Sequence, residues 1–382
     1  MTDHMPDDLS AAGRDLRAFT DALRARHRVV RNAGGEWVLL GHAEVVEAAR
    51  DDVRFSSAVS RHLQVPNGID GAAHTAYREA LDGFLTAEAL APFHDVFRTI
   101  ATTLVADLPR QIAVDAVSDI GVRFAVRAQC VWLGWPAELE GRLVDWVAEN
   151  HAATRSGDRE WTRRVAGSFD DIIQTVLAPR RGTAVNASED VTARLMRTEV
   201  DGRPLADAEI VSVLRNWTGG DLGSIAQCVG VLLHALATRP ELQQRLRARP
   251  DDPNFDAVID EILRIDNPFV SNRRVTTCPL EIGGVELPEG ARVKLNWTSA
   301  NRDEAVFGDP DAFDPQRNAR HNLVYGIGRH ACPGRLLATL ELRIALQALL
   351  AGTDSIRLDP SRPPERAVAP VGGWAHVPLL LA

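Results

Sequence analysis

The chain has 382 residues, a formal charge of −9, and a composition that is 45% hydrophobic, 25% charged and 5% aromatic. That supplies apolar material for a large core, while the acidic balance excludes a general nucleic-acid binder, which needs a basic footprint. The cysteines, Cys130, Cys228, Cys278 and Cys332, are widely spaced and form no C-x-x-C pair, so neither a zinc ribbon nor a disulfide framework is expected.

Residues 1–20 read as a flexible N-terminus: Met1 to Arg14 is polar and acidic, with no signal-peptide pattern. No run of about 18 apolar residues occurs anywhere, so no membrane span is expected and the protein is placed in the cytoplasm. Short β-segments follow at Val29 to Arg31 and Glu36 to Leu40, around the turn Ala33-Gly34-Gly35. A helix is expected from His42 to Arg50 and a turn near Asn67-Gly68. From Thr75 to about Leu246 apolar residues recur at three- and four-residue spacings, the mark of helices. Breaks fall near Gly134-Trp135-Pro136, Arg181-Gly182 and Asp201-Gly202.

The longest helical stretch runs from Asp207 to Ala237 and is stopped by Pro240. A helix over Phe255 to Ile265 comes next. Leu280 to Leu287 alternates around Gly283-Gly284, and Ala291 to Leu295 follows Pro288-Glu289-Gly290, a pattern that reads as a hairpin. A coil rich in Asp, Pro and Arg spans Asn301 to Asn322, and a final helix covers Gly334 to Leu350. The tail, with Gly372-Gly373-Trp374, reads as a β-turn region. The fold class is α+β, mainly α, in a single domain over residues 1–382.

The chemistry concentrates in Tyr325-Gly326-Ile327-Gly328-Arg329-His330-Ala331-Cys332-Pro333-Gly334. Two glycines let the backbone turn back tightly before the cysteine, and Gly334 lets a flat group approach the following helix. A thiol just before a helix N-terminus meets free N–H groups and a favourable dipole, which stabilise a thiolate. This loop resembles the haem-binding loop of cytochromes P450, Phe-x-x-Gly-x-[His/Arg]-x-Cys-x-Gly, and matches it at Gly328, His330, Cys332 and Gly334. It departs at Tyr325, where the family has Phe. Glu261-Ile262-Leu263-Arg264 resembles the family's Glu-x-x-Arg helix, whose i,i+3 pair shares a face, and Arg317 in the downstream coil matches the family's third member. His74 and Arg78, one turn apart, resemble its His-x-x-x-Arg, and Arg274 its strand arginine.

The resemblance implies a P450 fold, with a long central helix over the haem and a small β-rich region. It implies haem b bound through Cys332 as the metal ligand, with propionates held by His74, Arg78, Arg274 and His330, since buried carboxylates need donors or cations. The family's oxygen-activating helix carries Ala-Gly-x-[Asp/Glu]-Thr. Here the matching stretch is Thr218-Gly219-Gly220-Asp221-Leu222-Gly223-Ser224. Taking Asp221 as the acid would put Leu222 in the alcohol's place. The family's spacing to the helix-ending proline instead sets Ser224 as the alcohol, and the start Leu205-x-x-x-Glu209 agrees with that register. Gly223 then stands where the acid should be. Asp221, on the same face three residues before Ser224, is the candidate substitute.

The implied reaction is a monooxygenation that uses O2 and places one oxygen atom in a small or medium-sized apolar substrate, by hydroxylation or O-demethylation. Electrons would come from NAD(P)H through a ferredoxin or flavodoxin, docked near Arg78, Arg329 and Arg335. The pocket is expected between Leu63 to Ile69, Gly219 to Ser224, Pro268 to Asn272 and Val371 to Trp374. Two alternatives stand beside this: a peroxide-driven peroxygenase, suggested by the missing acid, and a non-catalytic haem-binding protein.

Overall fold

The computed structural model describes residues 4–5, 15–60, 62–110, 112–181, 190–368 and 371–382. Eleven helices of nine residues or more are found among them. They are α1 (Leu16–Arg24), α2 (His42–Arg50), α3 (Gly71–Leu81), α4 (His94–Asp107), α5 (Arg123–Leu133), α6 (Glu140–Ser156), α7 (Arg159–Leu177), α8 (Asp207–Thr238), α9 (Pro240–Ala248), α10 (Phe255–Ile265) and α11 (Arg335–Gly352). The mainly helical expectation holds, with one adjustment near the start. Residues 16–20, expected within the flexible N-terminus, open α1, capped by Asp15 and anchored by the fully buried Thr20. Gly182, expected at a helix break, lies outside the described residues.

The largest sheet has six strands, in the order His4–Met5, Val29–Asn32, Trp37–Leu39, Arg292–Asn296, Ser271–Thr276 and Phe55–Ser56. This corrects part of the expected hairpin. Leu280–Ile282 does turn back onto Val285–Leu287 through Gly283 and Gly284, both at positive φ as a two-residue turn requires. The next strand, Arg292–Asn296, leaves that hairpin to pair in parallel with Trp37–Leu39 and antiparallel with Ser271–Thr276. Near the C-terminus, Pro378–Leu381 pairs with Ile356–Leu358 and with Val114–Asp115.

The main core wraps α8. Val213, Leu214, Leu222, Ala226, Val229, Leu232, Leu233 and Leu236 are fully or almost fully buried. Glu209 caps the helix start by accepting from the Ala206 N–H, and Pro240 follows its end, so propensity and packing agree on both limits. By length and composition α8 could cross a membrane, but most of its apolar stretch is covered by protein. Its helical hydrogen bonding continues through Gly219, Gly220 and Gly223 without a break. The stretch Ala116–Val122 presses against it closely. A Cβ at Gly230 would lie 2.6 Å from Val117 Cγ2, and one at Gly121 would lie 2.8 Å from the Ala226 backbone.

Candidate active site

The cysteine loop is bent by Gly326 and Gly328, at φ 67° and 81°. Gly328 is also a close-approach position, because a Cβ there would sit 2.4 Å from the Ala49 carbonyl oxygen. The Cys332 N–H donates to the Tyr325 carbonyl at 2.8 Å, and the Gly334 N–H donates to Sγ from the start of α11. Burial pushes the Cys332 thiol up, while the Gly334 amide and the cations of Arg78 and Arg335 pull it down. The sulfur keeps accessible area although most of its surroundings are protein. That combination fits a group on the wall of an interior cleft. The Tyr325 hydroxyl reaches Thr339 on α11 at 3.1 Å, so the extra oxygen relative to the family's Phe is satisfied within the protein.

Helix α3 is stitched to this loop. Arg78 Nη1 donates to the carbonyls of Ala331 at 3.1 Å and Arg329 at 3.2 Å, and its Nε donates to Asp82. Arg329 returns the contact, reaching Gly71 O and Thr75 Oγ1, and pairs with Asp52. His330 Nε2 lies 3.0 Å from Asp70 Oδ1. The His74 and His330 rings are 4.2 Å apart, and His74 Nδ1 is buried without a partner among the described residues. Burial, then the positive neighbours His330, Arg78 and Arg329, lower His74 to about 4, so it is a neutral donor at pH 7.

Arg274 sits near His330 on the strand Ser271–Thr276, 7% exposed. Its bond is to the Arg273 carbonyl, and among the described residues no carboxylate comes within ion-pair distance. A buried guanidinium in that state calls for an anion. Together with the unpartnered His74 nitrogen and the amide-supported thiol, it forms a donor set that fits a haem. His74, His330 and Arg274 would meet the propionates, and Cys332 the iron. Arg78 is already engaged with the loop's carbonyls and Asp82.

A second network holds the approach to the cysteine. Glu261 and Arg264, 1% and 0% exposed, form a bidentate pair at 2.8 and 2.9 Å. Arg264 also donates to the carbonyls of Asn301, Pro310 and Ala312. The third member is corrected here. Arg317 is exposed, while the buried Asn318 donates from Nδ2 to Glu261 Oε1 at 2.7 Å. The two neighbours are turned about 100° apart on the short helix Pro315–Asn318, and the compact amide is the one that is buried. Asn301 Oδ1 then accepts the Leu323 N–H, fixing the chain as it enters the loop.

On α8, Ser224 is half-buried, and its hydroxyl has no hydrogen-bond partner among the described residues. Asp221 turns toward α11. Its Oδ2 and both carboxylate oxygens of Glu341 are buried without partners among the described residues, and the two side chains repel one another. Burial raises Asp221 to about 7 and Glu341 well above its ordinary value, so the pair retains protons at neutral pH. Glu341 was missed by sequence reasoning. Its only mark was an acid among the apolar residues of a helix.

Other expected pocket segments also meet α8. Leu63 and Val65 bond to Ser212 and Asn216, Gly372 donates to Pro268 O, and Gly373 lies against Val231.

The cytochrome P450 family model matches residues 153–352. The chain belongs to the cytochrome P450 family. It is 30% identical to the cyclomarin C epoxidase of Salinispora arenicola, covering 88% of each chain. It is 28% identical to the erythromycin C-12 hydroxylase of Saccharopolyspora erythraea, covering 96% of this chain and 94% of that one. A solved structure of a mutant of P450 EryK with erythromycin B superposes at a TM-score of 0.86, with 26% identity over 96% of both chains. This P450 is thus a haem-thiolate monooxygenase of organic substrates, using haem b, O2 and electrons from NAD(P)H through a redox partner. When bound, the haem supplies the reductive activation of dioxygen.

Proposed function

We propose that this single-domain P450 hydroxylates or O-demethylates a small or medium-sized apolar molecule in the cytoplasm, served by a ferredoxin or flavodoxin. In this reading Cys332 is the thiolate ligand, and His74, Arg274 and His330 hold the propionates. Arg78 fixes the loop, and Ser224 and Asp221 manage protons. The observation that carries it is the Cys332 sulfur, held at the start of α11 by the Gly334 N–H on a residue that keeps exposed area. The substrate class draws support from relatives whose names record oxidation of cyclomarin C, erythromycin and linalool.

Ser224 is suited to its role because its hydroxyl is uncommitted while lying on the Asp221 side of the helix. Asp221, raised to about 7 by burial, can carry a proton one turn away. The deciding experiment is a reduced carbon monoxide difference spectrum of wild type and Cys332→Ala. A strongly red-shifted Soret band, absent from the variant, is expected. An unshifted band in folded, haem-loaded wild type would overturn the assignment of Cys332. The peroxide-driven alternative rests on Gly223. Product formation with ferredoxin and NAD(P)H, set against hydrogen peroxide, separates the two.

A further inference from the structure

Position 223 lacks a side chain, yet the space beside it is not apolar. A Cβ built at Gly223 would lie 3.1 Å from His151 Nε2, on α6. The contact is one of a pair that sets the register of two helices: Trp146 on α6 lies 3.7 Å from the corresponding point at Gly219. Advancing five residues along α6 and four along α8 leads from one contact to the other, so both belong to a single helix–helix seam. Trp146 is itself immobilised, donating from Nε1 to Val165 O and stacking on Phe169 at 4.2 Å. The position of His151 therefore follows from a packed interface.

We propose that His151 supplies the proton-carrying side chain that Gly223 does not, acting beside Ser224 from the neighbouring helix. Glycine is what permits this arrangement. Any Cβ at 223 would push the imidazole back by a few tenths of an ångström, and a carboxylate would take its space. Imidazole suits the role because one ring nitrogen can donate a proton while the other accepts one. His151 is half-buried, whereas Asp221 and Glu341 have buried oxygens facing the interior. In the relay, Nε2 gives its proton to Ser224 Oγ as the hydroxyl passes its own proton into the site, and Nε2 is reprotonated from water. Only N–H and O–H bonds change, and no electron is transferred.

The proposal rests on the assignment of Ser224 as the relay alcohol, and its test uses small probes of the holoenzyme. The first is the C–O stretching band of the ferrous carbon monoxide form, which falls when a donor faces the ligand. The second is cyanide affinity of the ferric form, where HCN must surrender its proton to a nearby base as carbon binds iron. His151→Leu is expected to raise the C–O frequency and weaken cyanide binding on the order of tenfold, the lower range of an acid–base contribution. His151→Gln, which keeps an N–H donor but cannot take up a proton, is expected to retain the C–O band while losing cyanide affinity. Adding Gly223→Asp to His151→Leu is expected to restore cyanide binding. If both probes are unchanged in His151→Leu, or if His151→Gln retains both, the proposal is overturned. A Ser224→Ala variant that leaves both probes unchanged would instead overturn the reading on which it rests.

Discussion

At the scale of single residues, the site is governed by which polar groups are left without partners inside the protein. Asp221 has an ordinary value of 3.8, and burial raises it to about 7. The folded chain therefore keeps a proton that the unfolded chain releases between those values. Stability from the neutral carboxyl is complete below about pH 3.8 and is lost as the pH rises through about 7. Asp221→Asn removes that titration. Its unfolding free energy from urea titration is expected to gain on wild type steadily from pH 5 to pH 7, by up to about 1.4 kcal/mol per pH unit. A difference that stays constant with pH would show that Asp221 is ionised throughout. Arg274 makes the complementary case, a buried cation with no carboxylate within ion-pair distance among the described residues. Arg274→Gln is expected to lower haem retention during dilution and gel filtration, with little effect on the difference-spectrum maximum of the fraction still loaded.

At the scale of elements, the coil from Asn301 to Asn322 behaves as a clamp. It is held by backbone carbonyls that converge on one guanidinium and by one carboxylate that accepts from Arg264, Asn318 and the Asp314 N–H. Removing one partner of a buried pair leaves the other charge uncompensated. Glu261→Ala is therefore expected to cost about 3–5 kcal/mol and to reduce haem incorporation. Asn318→Ala should cost about 1–3 kcal/mol through an unsatisfied acceptor. Arg317→Ala, at an exposed position, is expected to stay within about 0.5 kcal/mol of wild type. Denaturation midpoints of the three variants check the ranking, and a larger effect for Arg317 than for Asn318 would make Arg317 the third member of the network. The Glu-x-x-Arg pair was legible in sequence because i and i+3 share a helix face. Its third partner was not, because neighbouring residues of a four-residue helix differ only in which one points inward.

At the scale of the whole molecule, a net acidic chain presents arginines around the cysteine loop, among them Arg335, whose side chain is 61% exposed and paired with Asp260. Opposite potentials steer encounter more than they add affinity. With an acidic ferredoxin as donor, Arg335→Glu is expected to slow electron delivery on the order of tenfold at low salt, with the difference fading as ionic strength rises. Stopped-flow reduction under carbon monoxide measures this. A salt-independent effect would place Arg335 outside the docking face. The same large scale explains the stray strand Arg292–Asn296. Local turn residues announced a hairpin, but the strand's alternating buried positions, Val293 and Leu295, are covered only by joining the six-stranded sheet.

The sequence by itself determined the family, the cysteine loop, the paired Glu261 and Arg264, and the extent of the long helix. Each of these is written in local spacing: glycines at fixed offsets from a cysteine, a 3.6-residue period, a proline that must end a helix. Only the tertiary structure decided that Asn318 replaces Arg317, that Arg78 is engaged with the loop it supports, and that Glu341 stands opposite Asp221. It also decided that His151 occupies the space Gly223 leaves. These are meetings between residues far apart in the chain or on different helices, and their energies depend on burial and on which partner arrives, quantities that exist only once the helices have packed.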